Sequence, residues 1–318
     1  MTPPKVMLAT LVDEPFDDPG WIFETKWDGV RAICHIDSRR RMILRSRTGQ
    51  DLAPMFPELD ALKRLFRGLP ITVDGEIVTF DECGRSSFQR LQPRLNRLNP
   101  TPEEVKAIPV SYVVFDLLEY EGRDVTSEPL ERRRELLQQA IVARDHILAF
   151  SKAVRGKGRE AFAAAERAGL EGIIAKRLGS TYQKKRSRDW LKIKVHKRQE
   201  FVIGGWTEPR GSRAYFGSLL LGLYEDGKLV YTGSVGTGFD ESTLKDLYQR
   251  LSRIETNKSP FSNPPKTPSP AHWVKPQLVA EVKFSEWTKG GSIRQPVFVG
   301  LRPDKRPNEC VRERPISG

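Results

Sequence analysis

The chain is poor in the residues that build metal and disulfide scaffolds. Three cysteines in 318 residues, Cys34, Cys83 and Cys310, lie too far apart for a disulfide framework or a four-thiolate zinc site. The four histidines, His35, His146, His196 and His272, show no ligand spacing, which leaves zinc catalysis and a Ser-His pair little to stand on. No run of ~18 apolar residues is present, so no membrane-spanning helix is expected. The opening Met-Thr-Pro-Pro-Lys lacks the apolar core of a signal peptide, and a cytoplasmic protein is the default expectation. Two common phosphate cradles are also missing. There is no GxxxxGK[ST], and the glycines Gly233, Gly236 and Gly238 lack the spacing of a dinucleotide turn. Any nucleotide chemistry must therefore rest on side chains.

What is present is enough for folded domains. Hydrophobic residues make up 38% and aromatics 9%, and the 30% of charged residues mixes both signs, unlike a disordered polyion. A length of 318 residues suggests two domains. The net charge of +12 is shared equally between residues 1–194 and the much shorter 195–318. Such an excess favours a polyanion, nucleic acid being the commonest.

Alternation of apolar residues predicts strands at Trp21–Lys26, Met42–Arg47, Ile71–Phe80, Ser111–Leu118, Gly172–Arg177 and Trp190–Val195. Helical patterns lie between them at Pro57–Leu65, Leu130–Ile147 and Arg159–Ala168. No regular βαβ repeat appears, so the fold class is α+β rather than doubly wound. After Val195 come short strands, a hairpin signal at Glu225-Asp226-Gly227-Lys228, one helix over Glu241–Ile254, and a Pro-rich loop at Asn257–Pro270. That pattern suits a small barrel of the OB type. The expected division is 1–195 and 196–318.

One segment carries chemistry: Phe23-Glu24-Thr25-Lys26-Trp27-Asp28-Gly29-Val30-Arg31. If extended, it projects Glu24, Lys26 and Asp28 to one face. Alone, a lysine between two acids reads equally as an exposed ion-pair cluster. Companions follow in order: Ser46-Arg47-Thr48-Gly49, Asp74-Gly75-Glu76, Tyr112-Val113-Val114-Phe115-Asp116, Glu171-Gly172-Ile173-Ile174-Ala175-Lys176, and Trp190-Leu191-Lys192-Ile193-Lys194. The last places both lysines on one face. Each also has a plain structural reading: Phe115 as core, Glu76 as a solvated strand residue, Glu171 as the residue after a helix end, the two lysines as a solvent face.

Taken together, these motifs resemble the covalent nucleotidyltransferases: ATP-dependent DNA ligases, RNA ligases and mRNA capping enzymes. Most closely they resemble the ligase domain of the bacterial end-joining ligase D group. The resemblance runs from about residue 7 to Lys305 and includes Val235-Gly236-Thr237-Gly238-Phe239, Glu281-Val282-Lys283-Phe284 and Gly300-Leu301-Arg302. It implies an adenylation domain over 1–195 followed by an OB-fold domain over 196–318. It implies that Lys26 attacks the α-phosphorus of ATP to form lysyl-AMP, helped by Lys192 and Lys194. Glu171 and Glu76 would serve Mg²⁺ or Mn²⁺, Glu76 otherwise binding ribose. Glu24 would meet the adenine edge and Phe115 would stack on the base. Arg31 and Arg47 would contact nucleotide or nick phosphate, and Arg294, Arg302 and Lys305 would orient the leaving pyrophosphate.

A free lysine, with a pKa of ~10.4, is almost wholly protonated at neutral pH, so nearby positive charge must favour its neutral form. The implied substrate is nicked or broken duplex DNA, sealed by a monomer, with a Ku-like end-binding protein as partner, in a bacterial cytoplasm at the nucleoid. The alternatives are an RNA ligase or capping-type enzyme, and a non-enzymatic DNA-bridging protein of the same fold. Thr48 stands where the family commonly has Asn, and Gln295 and Val297 where it has His and Ser; none of these removes a charge. With Lys26 so near the start, the chain reads as a stand-alone ligase or one module of a longer protein. The basic run Lys184–Arg188 is read as a solvated loop or a DNA-backbone contact.

Overall fold

The computed structural model describes residues 4–316 apart from Arg144, Ser212 and Lys289. The chain divides into one unit running to Val195, joined by the last residues from Arg314, and another of His196–Glu313. In the first unit the strands are β1 (Leu8–Leu11), β2 (Trp21–Thr25), β3 (Val30–Ile36), β4 (Met42–Ser46), β5 (Ile71–Val78) and β6 (Ser111–Tyr120). They continue with β7 (Arg123–Asp124), β8 (Leu148–Phe150), β9 (Ala153–Arg155), β10 (Gly172–Arg177) and β11 (Arg186–Lys194). The helices are α1 (Leu62–Leu65), α2 (Phe88–Leu95), α3 (Pro102–Ala107), α4 (Leu130–Ala140) and α5 (Gly158–Arg167).

Two sheets form the unit, in the orders β1-β11-β10-β2-β9 and β4-β3-β5-β6-β7, with β8 also on β6. Pairing is antiparallel except for β1 with β11 and β6 with β8, consistent with an α+β class. The second sheet buries Val30, Ala32, Ile71, Val73 and Val114 against Leu62, Phe88, Leu91 and Leu137 of its helices. The first sheet packs Trp21, Phe23, Ile173 and Ile193 against Ala165 and Phe162 of α5. That leaves its opposite face for polar groups.

Three sequence expectations shift. The helix expected over Leu130–Ile147 stops at Ala140, because Ile141 turns extended and pairs with Phe66. Tertiary bonds from Arg67 N to Ala140 O and Val142 N to Leu65 O complete that edge. The last strand begins at Arg186 rather than Trp190, since β1 pairs with it from Leu8 onward, so Arg186 and Arg188 belong to a strand. Helices α2 and α3 escaped notice because of their prolines; α2 contains Pro93, and α3 opens on Pro102 behind a Thr101–Glu104 capping box.

Arg133 and Asp116 form a fully buried pair, with Nε and Nη2 donating to the two carboxylate oxygens at 2.7 and 2.9 Å. Arg133 Nη1 also donates to the carbonyls of Glu128 and Ser180. Removing one partner strands the other charge in the interior, at about 3–5 kcal/mol. Arg133→Met is therefore expected to lower unfolding stability by about that much in a denaturant titration. Its exposed neighbour, as Arg132→Met, should change it by under ~0.5 kcal/mol.

The second unit holds β12 (Lys197–Thr207), β13 (Leu219–Glu225), β14 (Lys228–Val235), α6 (Glu241–Ser252) and β15 (Glu255–Thr256). It continues with β16 (Ala271–Val274), β17 (Val279–Phe284), β18 (Glu286–Trp287), β19 (Ile293–Arg294) and β20 (Val297–Leu301). β12 is the long strand of a curled sheet. One edge pairs with β13, while the other pairs with β17 over 197–202 and with β16 over 205–207. The switch falls at Gly204, where a Cβ would stand 2.3 Å from the Phe261 ring, and the strand bends around that buried aromatic. Asp226 and Gly227 both take left-handed φ, giving the expected hairpin, and Asp240 caps α6 through the Thr243 amide at 2.7 Å. This is an OB-type barrel with one helix.

His272 of β16 lies flat on Trp206, with centroids 4.0 Å apart, and meets Glu255 through Nδ1 at 2.6 Å and Glu208 through Nε2 at 3.3 Å. Partial burial pulls its pKa down, but the two carboxylates outweigh this and the net shift is upward from 6.5. A raised folded-state pKa contributes stability that is complete below the unfolded value near 6.5 and fades as pH rises through the folded value. Melting between pH 6 and 8 should show that decline. His272→Gln is expected to flatten it, and an unchanged slope would assign the dependence elsewhere.

Candidate active site

The site is laid out by strand register. Glu24 of β2, Ile174 of β10 and Lys192 of β11 lie opposite one another, as do Ile22, Lys176 and Trp190 two residues along. The third row continues past the end of β2, where the Lys26 amide donates to Gly172 O at 2.9 Å and Gly172 pairs with Lys194. Period-two alternation puts all three rows on the face away from α5. Lys26 and Lys194 thus flank a glycine, about 10 Å apart at Cα by two strand spacings. Gly172 has φ +151°, and a Cβ there would stand 2.1 Å from Ile193 O, so no side chain is admitted between the two lysines.

Lys26 Nζ donates to Glu171 Oε2 at 2.5 Å, across 145 residues of sequence. Glu171 is nearly buried, and its carbonyl accepts from the Val195 amide, which fixes it at the head of β10. An amine in that contact is an ammonium and must release its proton before it can attack.

Glu24 is 2% exposed and takes three donors: Arg134 Nη1 on Oε1, and Ser151 Oγ at 2.8 Å and Lys176 Nζ at 3.1 Å on Oε2. Lys176 is equally buried, its Nζ 4.3 Å from the Phe115 ring centroid and 4.4 Å from that of Trp190. Burial lowers its pKa more than Glu24 restores it. Phe115 belongs to β6 at the point where pairing with β5 slips between Asp74 and Gly75, a bulge that re-aims a side chain. It lies edge-on to Trp190 and is 8% exposed. Phe115 and Lys176 thereby bring the two sheets together.

Arg31, opposite Glu76 on β3 and β5, is committed within the protein. Its Nε and Nη2 donate to Asp74 at 3.0 and 2.6 Å, and Nη1 donates to Met7 O at 2.7 Å. Tyr182 O–H also donates to Asp74 at 2.6 Å. Burial alone would lower the arginine's pKa, but Asp74 outweighs it and the net shift is upward. Arg47 sits half-buried in a turn closed by Gly49 N to Ser46 O at 2.9 Å, and Thr48 Oγ1 lies 3.1 Å from Ser46 Oγ.

In the barrel unit, Arg294 is exposed and paired with Glu286, and Lys305 Nζ meets Glu200 at 2.9 Å. Arg302 is buried between Asp304 and Glu281, with three bonds of 2.8 Å. That geometry ties β20 to β17 and directs the guanidinium into the barrel's own framework. Sequence reasoning gave no role to Asp74, Arg134, Ser151, Lys176 or Tyr182. Asp74 opens one recognised motif and Lys176 ends another, but Arg134, Ser151 and Tyr182 carry no local signal.

No cluster of three or more His, Cys, Asp or Glu poised for a metal occurs among the described residues. Cys34 is buried, its thiol pushed up to about 12, and is structural. No helix among the described residues is long and apolar enough to cross a membrane.

A lysine just past the end of an interior strand, a carboxylate on its amine, and further lysines in register mark a covalent nucleotidyltransferase domain, here followed by an OB-fold domain. Residues 6–194 match the model of the ATP dependent DNA ligase domain, and 212–305 that of the ATP dependent DNA ligase C terminal region. The chain belongs to the ATP-dependent DNA ligases. It is 41% identical over 317 residues to the multifunctional non-homologous end joining protein LigD of Pseudomonas aeruginosa, covering 97% of this chain and 36% of that protein. It is 32% identical to DNA ligase C1 of Mycolicibacterium smegmatis, covering 97% of this chain and 92% of that protein. A solved structure of mycobacterial DNA ligase D complexed with ATP and MES shares 36% identity and a TM-score of 0.66, covering 96% and 98% of the two chains. The chain spans about a third of the length of the LigD relatives it matches.

Proposed function

We propose that the protein seals breaks with a 5′-phosphate and a 3′-hydroxyl in duplex DNA, using ATP, in end-joining repair. The observation that carries this is the row Lys26–Gly172–Lys194, with Glu171 on the Lys26 amine. Lys26 first loses its ammonium proton to solvent. Neutral Nζ then forms a bond to the α-phosphorus as the bond to the β-phosphate oxygen breaks, pyrophosphate leaves, and the nitrogen gives a second proton to solvent to become the phosphoramidate N–H. The 5′-phosphate oxygen then takes the adenylyl group from Lys26. Finally the 3′-hydroxyl attacks the activated 5′-phosphorus, expelling AMP and losing its proton. Lys192 and Lys194 neutralise phosphate charge through these steps, which depend on positioning and electrostatics.

Glu171 and Glu76 are the carboxylates that would hold Mg²⁺ or Mn²⁺, which when bound neutralises triphosphate charge. Phe115 and Ile174 line the base, Glu24 meets its edge, and Arg47 contacts phosphate. Arg31 acts through Asp74 and Tyr182 by holding β3 in place. Arg294, Arg302 and Lys305 meet pyrophosphate, Arg302 from a position held by Glu281 and Asp304. The names of the LigD relatives support an end-joining role. In this reading the enzyme works as a monomer at the nucleoid of a bacterial cytoplasm, recruited by a Ku-like end-binding protein.

The test is incubation with α-labelled ATP and Mg²⁺, followed by mapping of the acid-labile adduct. An adenylyl group on Lys26 supports the reading; its absence from the protein, or its presence on another residue, overturns it.

A further inference from the structure

The carboxylate proposed to meet the base is held by groups that no sequence motif marks. Arg134 of α4 uses one Nη on Glu24 Oε1 and the other on the Ser151 carbonyl at 2.9 Å. Its guanidinium carbon stands 4.5 Å from the Phe150 ring centroid. Ser151, just past β8, is fully buried, and its amide donates to Val114 O at 2.8 Å beside Phe115. Its hydroxyl accepts from Trp27 Nε1 at 3.1 Å and donates to Glu24 at 2.8 Å. A continuous hydrogen-bond chain therefore links the residue next to Lys26 to the Glu24 carboxylate.

We infer that Arg134 and Ser151 are positioning residues that hold the Glu24 carboxylate as a fixed acceptor, and so make the enzyme select a purine with an amino group at position 6. This rests on the ligase reading above. A carboxylate offers about four acceptor sites. Arg134, Ser151 and Lys176 occupy three, which leaves one on Oε1 for an N–H of the base. Adenine presents such a donor. Guanine presents a carbonyl oxygen, which an anionic acceptor repels, and a purine with hydrogen at position 6 leaves the acceptor unmatched. Sites built around a buried hydrogen bond discriminate strongly against partners that lack it. Without Arg134, Glu24 turns toward Lys176 and the acceptor is no longer aimed at the base.

The experiment compares rates of lysyl-AMP-type adduct formation with ATP, GTP and purine riboside triphosphate, for wild type, Arg134→Met, Arg134→Lys and Ser151→Ala. Wild type should favour ATP over both analogues at least ~10-fold. Arg134→Met and Ser151→Ala should lose rate with ATP but little with purine riboside triphosphate, so the preference shrinks at least ~10-fold. Arg134→Lys should recover part of it. A merely structural role lowers all three nucleotides in parallel, and an unchanged preference in any folded variant overturns the inference. Should Arg134→Met not fold, Ser151→Ala and Arg134→Lys decide. A wild type that forms adducts equally with all three overturns the inference while leaving the ligase reading intact. A wild type that forms none overturns both.

Discussion

Replacing Lys26 with alanine is expected to abolish the covalent adenylyl adduct and to cut sealing of an ordinary nick by at least ~10⁴-fold, or about 5.5 kcal/mol in barrier. Nothing else in the row can substitute. Lys192 and Lys194 arise from β11, two strands away from β2, with Gly172 and its strand between them and Lys26. The same variant should still join a nick that already carries a 5′-adenylyl group, because that step uses the 3′-hydroxyl as nucleophile and needs no lysine adduct. Gel assays with the two substrates separate the outcomes. Undiminished sealing of the unadenylylated nick by Lys26→Ala would remove the nucleophile from the proposal.

Glu171→Gln should have the next largest effect, lowering adduct formation by about 10²–10³-fold. The amide can still accept a hydrogen bond from Lys26 Nζ, now 2.5 Å from the carboxylate. What it cannot supply is negative charge, either to hold the ammonium in place before ATP enters or to hold a cation. The two variants differ in signature. Lys26→Ala should spare the pre-adenylylated nick, whereas Glu171→Gln, as a proposed cation ligand, should slow it too. A Glu171→Gln enzyme with normal adduct formation would reduce Glu171 to a structural residue at the head of β10.

The motifs of the catalytic face were legible because they are local. Alternation on β2 and β11 already placed Glu24 with Lys26 and Lys192 with Lys194, and glycine at 29 and 172 marked where strands end or approach closely. The hairpin at Asp226-Gly227 was readable for the same reason: it depends on residues within a few positions. The α+β class and the OB-type barrel followed from the spacing of such elements. Strand and helix limits moved wherever a distant partner intervened, as when β1 extended β11 back to Arg186.

Pairing across the chain belonged to the tertiary structure alone. Three consecutive arginines show why. Arg132, Arg133 and Arg134 are identical in type and adjacent in sequence, yet each step along a helix turns the side chain by ~100°. Arg132 meets Glu135 at the surface, Arg133 is sealed on Asp116, and Arg134 reaches Glu24 across 110 residues. Arg31 and Arg302 tell the same story: the resemblance gave Arg31 a nucleotide or nick-phosphate contact and Arg302 the leaving pyrophosphate, and the fold adds carboxylate partners from afar, Asp74 for one and Glu281 for the other. Composition and periodicity determined which strands carry the reactive residues and which face they share, because those depend on local geometry. Which cation answers which carboxylate was decided only by the fold, because an ion pair's energy depends on distance and solvent exclusion, and neither is written in sequence spacing.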